Sequence, residues 1–223
     1  MINQAYAVTA IVLLTLLGLM AANLLYDHGV PKHMCRSIPP VLGGVAYLVS
    51  VLWLEAGMAI ALSGALTISV LALRLGFRRG LRGVAGSVPA QAWAEIAYPI
   101  AGTASLAVGW GLLGDKWLAF VPISFMAFGD ALAGLTRASL RRGHSVTALP
   151  SIAMLGVSLA LAALFQPYWI GALGGVTATA AERFRPTPHR LWDDNWSAVM
   201  ASLTVMAVAA QVSSSGLQPT FHL

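Results

Sequence analysis

No charged residue occurs between Met1 and Tyr26, and none between Asn195 and Leu223. Runs this long and this apolar restrict the fold severely. A segment in hydrocarbon must satisfy its own backbone N–H and C=O groups, which leaves helices or closed barrels. About 20 apolar residues make one helical crossing. Eight stretches qualify, near 5–26, 38–54, 58–76, 91–113, 116–136, 150–165, 168–184 and 195–213. The sixth and seventh are short and meet at a tight turn, "FQPYW" at 165–169, so a count of seven holds if 150–184 is partly re-entrant. Only 9% of the residues are charged and 58% are hydrophobic, where a soluble domain carries roughly 25% charged residues. The expected fold class is therefore all-α: a polytopic integral membrane helical bundle of about eight transmembrane helices. Residues 1–223 form a single membrane-embedded domain in this reading. No Lys or Arg precedes the first apolar run, so it is expected to be a retained helix and not a secretory signal. Cys35 is the only cysteine, which excludes an intrachain disulfide and Cys-x-x-Cys metal chemistry.

The charges that remain are distributed unevenly. Lys32 and Arg36 follow the first stretch. Arg74, Arg78, Arg79 and Arg82 follow the third, Arg137, Arg141 and Arg142 the fifth, and Arg183, Arg185 and Arg190 the seventh. Lys116 alone lies on the opposite side. Basic loops face the cytoplasm, so these loops are expected there, with both termini on the other side. A net charge of +5 then reflects orientation and contact with anionic lipid headgroups, and no nucleic-acid partner is expected. Asp27, Glu95, Asp130, Glu182, Asp193 and Asp194 fall on the basic side; Glu55 and Asp115 fall opposite. Such convergence predicts a polar site open to the cytoplasm.

Three stretches carry candidate chemistry. In "FMAFGDALAGLTRASLRRGHS" (125–145), Asp130 sits among apolar and small residues. An ionisable group at such depth costs roughly 2.5–3.5 kcal/mol on insertion scales, so it faces a partner or a watery cavity. Gly129, Ala131, Ala133 and Gly134 allow close helix approach, or let a phosphate or metal reach the carboxylate. In "ATAAERFRP" (177–185), Glu182 is either functional or an interfacial residue paired with Arg183 or Arg185. In "LWDDNWSAVMASL" (191–203), Asp193, Asp194 and Asn195 open the last apolar run. One of them would suffice as a helix cap, and acidic groups also suit a helix N-terminus. Two carboxylates and an amide exceed that need and suit Mg²⁺, which takes oxygen ligands from one or two carboxylates plus substrate phosphates. "RRGLRGVAGS" (78–87) lacks the Gly-Lys-Ser/Thr element of a P-loop. No Gly-x-Ser-x-Gly or His-Glu-x-x-His pattern occurs.

"FGDALAGLTRASLRRG", "TATAAERFRP" and "LWDDNWSAVMASL" in this order resemble the C-terminal half of the CTP-dependent polyprenol and lipid-alcohol kinases, the family of dolichol kinase, phytol kinase and yeast-type diacylglycerol kinase. The resemblance covers roughly 125–205 and rests on Gly129, Asp130 and Ala133, then Glu182, then Asp193, Asp194 and Asn195. Two family elements differ. "GHSVTALPSIAM" (143–154) keeps Ser145, Thr147 and Ser151 without the usual Lys and Glu, and "CRSIPPVLGG" (35–44) keeps only Arg36 of an Arg-Lys-x-x-His element. The resemblance therefore implies a divergent member. It implies phosphoryl transfer from a nucleoside triphosphate, CTP in that family, to the hydroxyl of a membrane lipid alcohol of polyprenol, phytol or diacylglycerol type. Asp130, Glu182 and Asp194 would be catalytic, with Mg²⁺ held by Asp130, Asp193 and Asp194. Lys32, Arg36, Arg141, Arg142 and Asn195 would bind the nucleotide phosphates, and Glu182 would orient an Arg or accept the hydroxyl proton. Two alternatives remain open: a cytidylyltransferase acting on a lipid phosphate, and a membrane transporter. The latter predicts internal repeats, and none is evident.

Overall fold

A computed structural model describes residues 3–76, 81–85, 94–140, 148–184 and 194–221. The described residues are helical almost throughout. Helices α1 (Gln4–Asp27), α2 (Lys32–Cys35), α3 (Ile38–Trp53) and α4 (Ala56–Gly76) come first. Helix α5 (Ala94–Ser105) passes directly into a π-helical stretch, Leu106–Leu112. Helix α6 (Lys116–Ser124) does the same at Phe125–Asp130 and continues as α7 (Ala131–Leu140). Then come α8 (Leu149–Ala162), α9 (Tyr168–Arg183) and α10 (Asp194–Ser213). The one small sheet among the described residues pairs β1 (Phe165–Gln166) with β2 (Gln218–Pro219), antiparallel, with Phe165 opposite Pro219. All eight expected apolar stretches are helical over most of their described residues. The turn at 165–169 is present, with a cis Gln166–Pro167 bond.

Local chemistry explains the ends. Asn3 caps α1 by accepting from Ala5 N at 3.1 Å, and prolines 39 and 40 occupy the first turn of α3, where a missing N–H costs nothing. Asp115 caps α6 by accepting from Trp117 N and Leu118 N, both at 2.9 Å. Its second oxygen accepts from Leu217 N at 2.8 Å, which ties the C-terminal segment to the same end of the bundle.

The π stretches lie downstream of prolines inside their helices, Pro99 in α5 and Pro122 in α6. Proline deletes an i→i−4 donor and crowds the preceding turn, and a wider turn downstream accommodates the misfit. Each inserted residue rotates the rest of the helix by about 100° relative to an unbroken α-helix.

The helix that begins at Lys116 is the axis of the bundle. In its most apolar window 72% of the residues are buried, against 17% in α1. Trp117 through Met126 form the centre of the core. Small residues permit the crossings. A Cβ on Gly109 would stand 2.7 Å from the Ala119 backbone, and one on Gly44 2.6 Å from Ala127 Cβ. The outer surface is apolar instead of charged: Tyr6, Leu13, Leu17, Met20, Ile68 and Leu112 are all exposed.

Five helical stretches among the described residues are long and apolar enough to cross a membrane: Gln4–Asp27, Lys32–Trp53, Ala56–Gly76, Lys116–Leu140 and Asn195–Ser213. That is compatible with a multi-pass membrane protein. At 1.5 Å per residue, α8 and α9 reach only about 21 and 24 Å, short of a hydrocarbon core of about 30 Å.

Candidate functional site

Three ion pairs among the described residues link neighbouring elements, and all lie at the end of the bundle where the basic segments emerge. Arg82 pairs with Asp27, Arg74 with Glu95, and Arg137 with Glu182. At the other end Glu55 accepts from Gln4 at 3.3 Å, and Asp115 serves as the cap of α6. The expected segregation of acids and bases is thus present in the fold.

A cavity of about 510 Å³ opens among α1, α3, α4, α5, α7 and the start of α10. Toward the basic end its wall carries Lys32, His33, Arg36, Arg137, Asp130 and Asn195. Away from that end the lining is mixed: Ile11, Leu19, Leu62, Leu66, Val70 and Met126 are apolar, while Thr15, Tyr47, Ser50 and Ser63 add hydroxyls. Ser50, also on the wall, lies about 18 Å along α3 from Ile38 at 1.5 Å per residue. The cavity therefore reaches into the depth of the bundle. Its size falls within the usual range for small-molecule sites, roughly 300–1,000 Å³.

The polar atoms near the deep part are mutually satisfied. Tyr47 Oη and Ser63 Oγ are 3.0 Å apart, Ser63 Oγ and Thr103 Oγ1 2.7 Å, and Thr67 Oγ1 and Thr103 Oγ1 3.1 Å. Tyr98 Oη donates to the Pro40 carbonyl at 3.2 Å. Gly102 is what admits Tyr47, because a Cβ there would collide with the phenol.

Of the residues singled out in the sequence, Lys32, Arg36, Asp130 and Asn195 meet on this one wall. Lys32 lies in the short helix α2, and Arg36 follows it. Asp130 closes the π stretch, so its direction is set by the wide turn. π-Bulges recur at functional sites for this reason. Glu182 is not on the wall. It is 3% exposed and accepts from Arg137, which is. Of the two structural partners that the sequence offers for it, Arg183 donates to Ser151 Oγ at 3.4 Å, and Arg185 lies outside the described residues. The backbone of Asp194 starts α10. The Asp194 side chain, together with Asp193, Arg141 and Arg142, lies outside the described residues.

Sequence reasoning passed over two residues of the site. Arg137 reads in the sequence only as a loop charge, yet it lines the cavity beside Arg36. Glu95 was noted only for its side of the membrane. Its side chain is 1% exposed and Arg74 Nη1 stands 2.7 Å from its Oε1. The signal was available, since Glu95 is an ionisable residue beside an apolar run.

The donor set fits a hard cation. Asp130 and Asn195 present oxygen ligands on a wall otherwise supplied with cations, and Mg²⁺ needs only one or two carboxylates beside phosphate oxygens and water. Among the described residues no three His, Cys, Asp or Glu side chains cluster as a self-contained metal cage. No family model, curated protein or solved structure matches the chain.

Proposed function

We propose that this protein transfers a phosphoryl group from a nucleoside triphosphate, CTP by resemblance, to the hydroxyl of a membrane lipid alcohol. One observation carries the reading. One cavity joins a cationic, carboxylate-bearing mouth to an interior of apolar side chains and hydroxyls already bonded within the protein, which suits a reaction between a polyphosphate and a lipid. In this reading all eight helical stretches cross the membrane, and the basic end faces the cytoplasm, where nucleotides are.

Phosphoryl transfer depends on positioning and on neutralising phosphate charge. Arg36 and Arg137 grip phosphate oxygens, which guanidinium groups can do bidentately, and Lys32 adds a point charge. Arg141 and Arg142 are placed by the same resemblance on the nucleotide side. Glu182 acts through Arg137: its carboxylate fixes the guanidinium and does not itself touch substrate. Mg²⁺ would lie on Asp130, Asp193 and Asp194, with Asn195 beside it, and would neutralise charge on the transferring group. The apolar lining takes the lipid chain, which leaves the hydroxyl near the mouth.

The test is incubation of purified protein with Mg²⁺, each of the four NTPs, and a panel comprising phytol, a short polyprenol and dioctanoylglycerol. Mass spectrometry should find a phosphorylated lipid and a nucleoside diphosphate. Pyrophosphate with a cytidylylated lipid phosphate would assign the alternative nucleotidyl transfer, and no product with any NTP would remove the enzyme reading.

A further inference from the structure

We propose that Glu95 is the residue that receives the acceptor hydroxyl in this cavity, a role that rests on the lipid-alcohol kinase reading above. Four observations lead to it. Glu95 lines the cavity. Its side chain is 1% exposed. Arg74 supplies a counter-charge at 2.7 Å to Oε1, but the contact lacks hydrogen-bond alignment, and neither carboxylate oxygen accepts a hydrogen bond from the described residues. Finally, the wall that carries Glu95 is of mixed character, with Val70 and Leu66 apolar and Arg137 and Asp130 charged.

A buried carboxylate oxygen without a donor is costly, because water that would have served it has been removed. Proteins keep such a group where a ligand completes it. The ligand that fits this position must donate a hydrogen bond and suit a wall of mixed apolar and polar character. An alcohol at the end of a lipid chain does both. The other candidate, Glu182, is committed to Arg137 and is not on the cavity wall. Thus the two buried glutamates divide the work: Glu182 holds a phosphate-binding arginine, and Glu95 receives the hydroxyl.

In the approach Oε2 is the acceptor while Arg74 stays on Oε1. The alcohol proton passes to Oε2 as its oxygen lone pair forms a bond to the γ-phosphorus. The bond from that phosphorus to the β–γ bridging oxygen breaks, and its electron pair leaves with the nucleoside diphosphate. The proton then returns to water through the mouth.

The experiment compares wild type, E95Q and the charge-neutral pair R74Q/E95Q, each purified in detergent. The double variant leaves no unpaired buried Arg, so it separates folding from chemistry. Each is assayed for a monodisperse folded species, for Mg²⁺–CTP binding, and for phosphorylation of the best alcohol in the panel. A general base typically contributes 10²–10⁴-fold. We expect both variants to fold and bind Mg²⁺–CTP as wild type does, while alcohol phosphorylation falls about 100-fold or more. Wild-type turnover in either folded variant would overturn the role of Glu95 and leave the kinase reading intact. Loss of Mg²⁺–CTP binding would assign Glu95 to the metal, and loss of the folded species in both variants would assign it to structure; either result overturns the proposal. A wild type that phosphorylates no alcohol would instead remove the underlying kinase reading.

Discussion

Asp130 and Asp194 carry the sharpest residue-scale prediction. Asn matches Asp in shape and caps a helix as well, but it lacks the charge on which Mg²⁺ affinity depends. D130N and D194N should therefore express and fold near wild type while NTP-dependent phosphorylation falls by orders of magnitude. If activity and metal dependence persist in one variant, that residue is no metal ligand. Glu182 behaves differently because it acts through Arg137. E182Q should weaken nucleotide binding about tenfold, equivalent to about 1.4 kcal/mol, with a smaller change in kcat. In a double-mutant cycle, R137A should be as damaging alone as in combination with E182Q, because coupled neighbours are not additive. Additive losses would show that the two residues contribute separately. Both readings depend on a partner across the bundle, which is why Glu182 was visible in the sequence and its role was not.

At the scale of elements, the chain depends on close crossings made by small residues. The Ala119 backbone that a Cβ on Gly109 would meet at 2.7 Å belongs to the first turns of α6 and cannot rotate away. Overpacking of this kind costs typically about 1–3 kcal/mol. G109A should lower the detergent-solubilised Tm by several degrees. At Gly57, near the start of α4, an added Cβ would have nothing within 4 Å. G57A should leave Tm unchanged or slightly higher, as Gly in a helix is less favourable than Ala. Equal shifts for the two would contradict the packing described for the α5–α6 corner. The element boundaries themselves were largely legible, because apolar length and turn residues such as the Gly114-Asp115 pair mark them. The π stretches were not. A proline announces a local disturbance, but where the helix widens depends on its neighbours.

For the whole molecule, the decisive quantity is sidedness. The described ion pairs among α1, α4, α5, α7 and α9, with the segment at 81–85, gather at one end, and the proposed function needs that end in the cytoplasm. In a C35S background, cysteine at Ser139 should react with an impermeant maleimide only from the cytoplasmic side. Cysteine at Gly57 should react only from the opposite side; both positions are exposed. Reversed labelling would separate the cavity mouth from cytoplasmic nucleotide and defeat the kinase reading together with the topology.

Hydropathy and charge asymmetry by themselves determined the helical class, the eight helical stretches and the grouping of acids with bases at one end. Those properties follow from burial of apolar length and from the high cost of placing charge in hydrocarbon, and both act residue by residue along the chain. Only the tertiary structure decided which charges meet. The pairing of Glu182 with Arg137 spans 45 positions, and that of Glu95 with Arg74 joins two separate helices. The direction of Asp130 depends on a π turn. Each of these is a matter of helix rotation, which is set by how neighbouring surfaces interlock and leaves no local trace in the sequence.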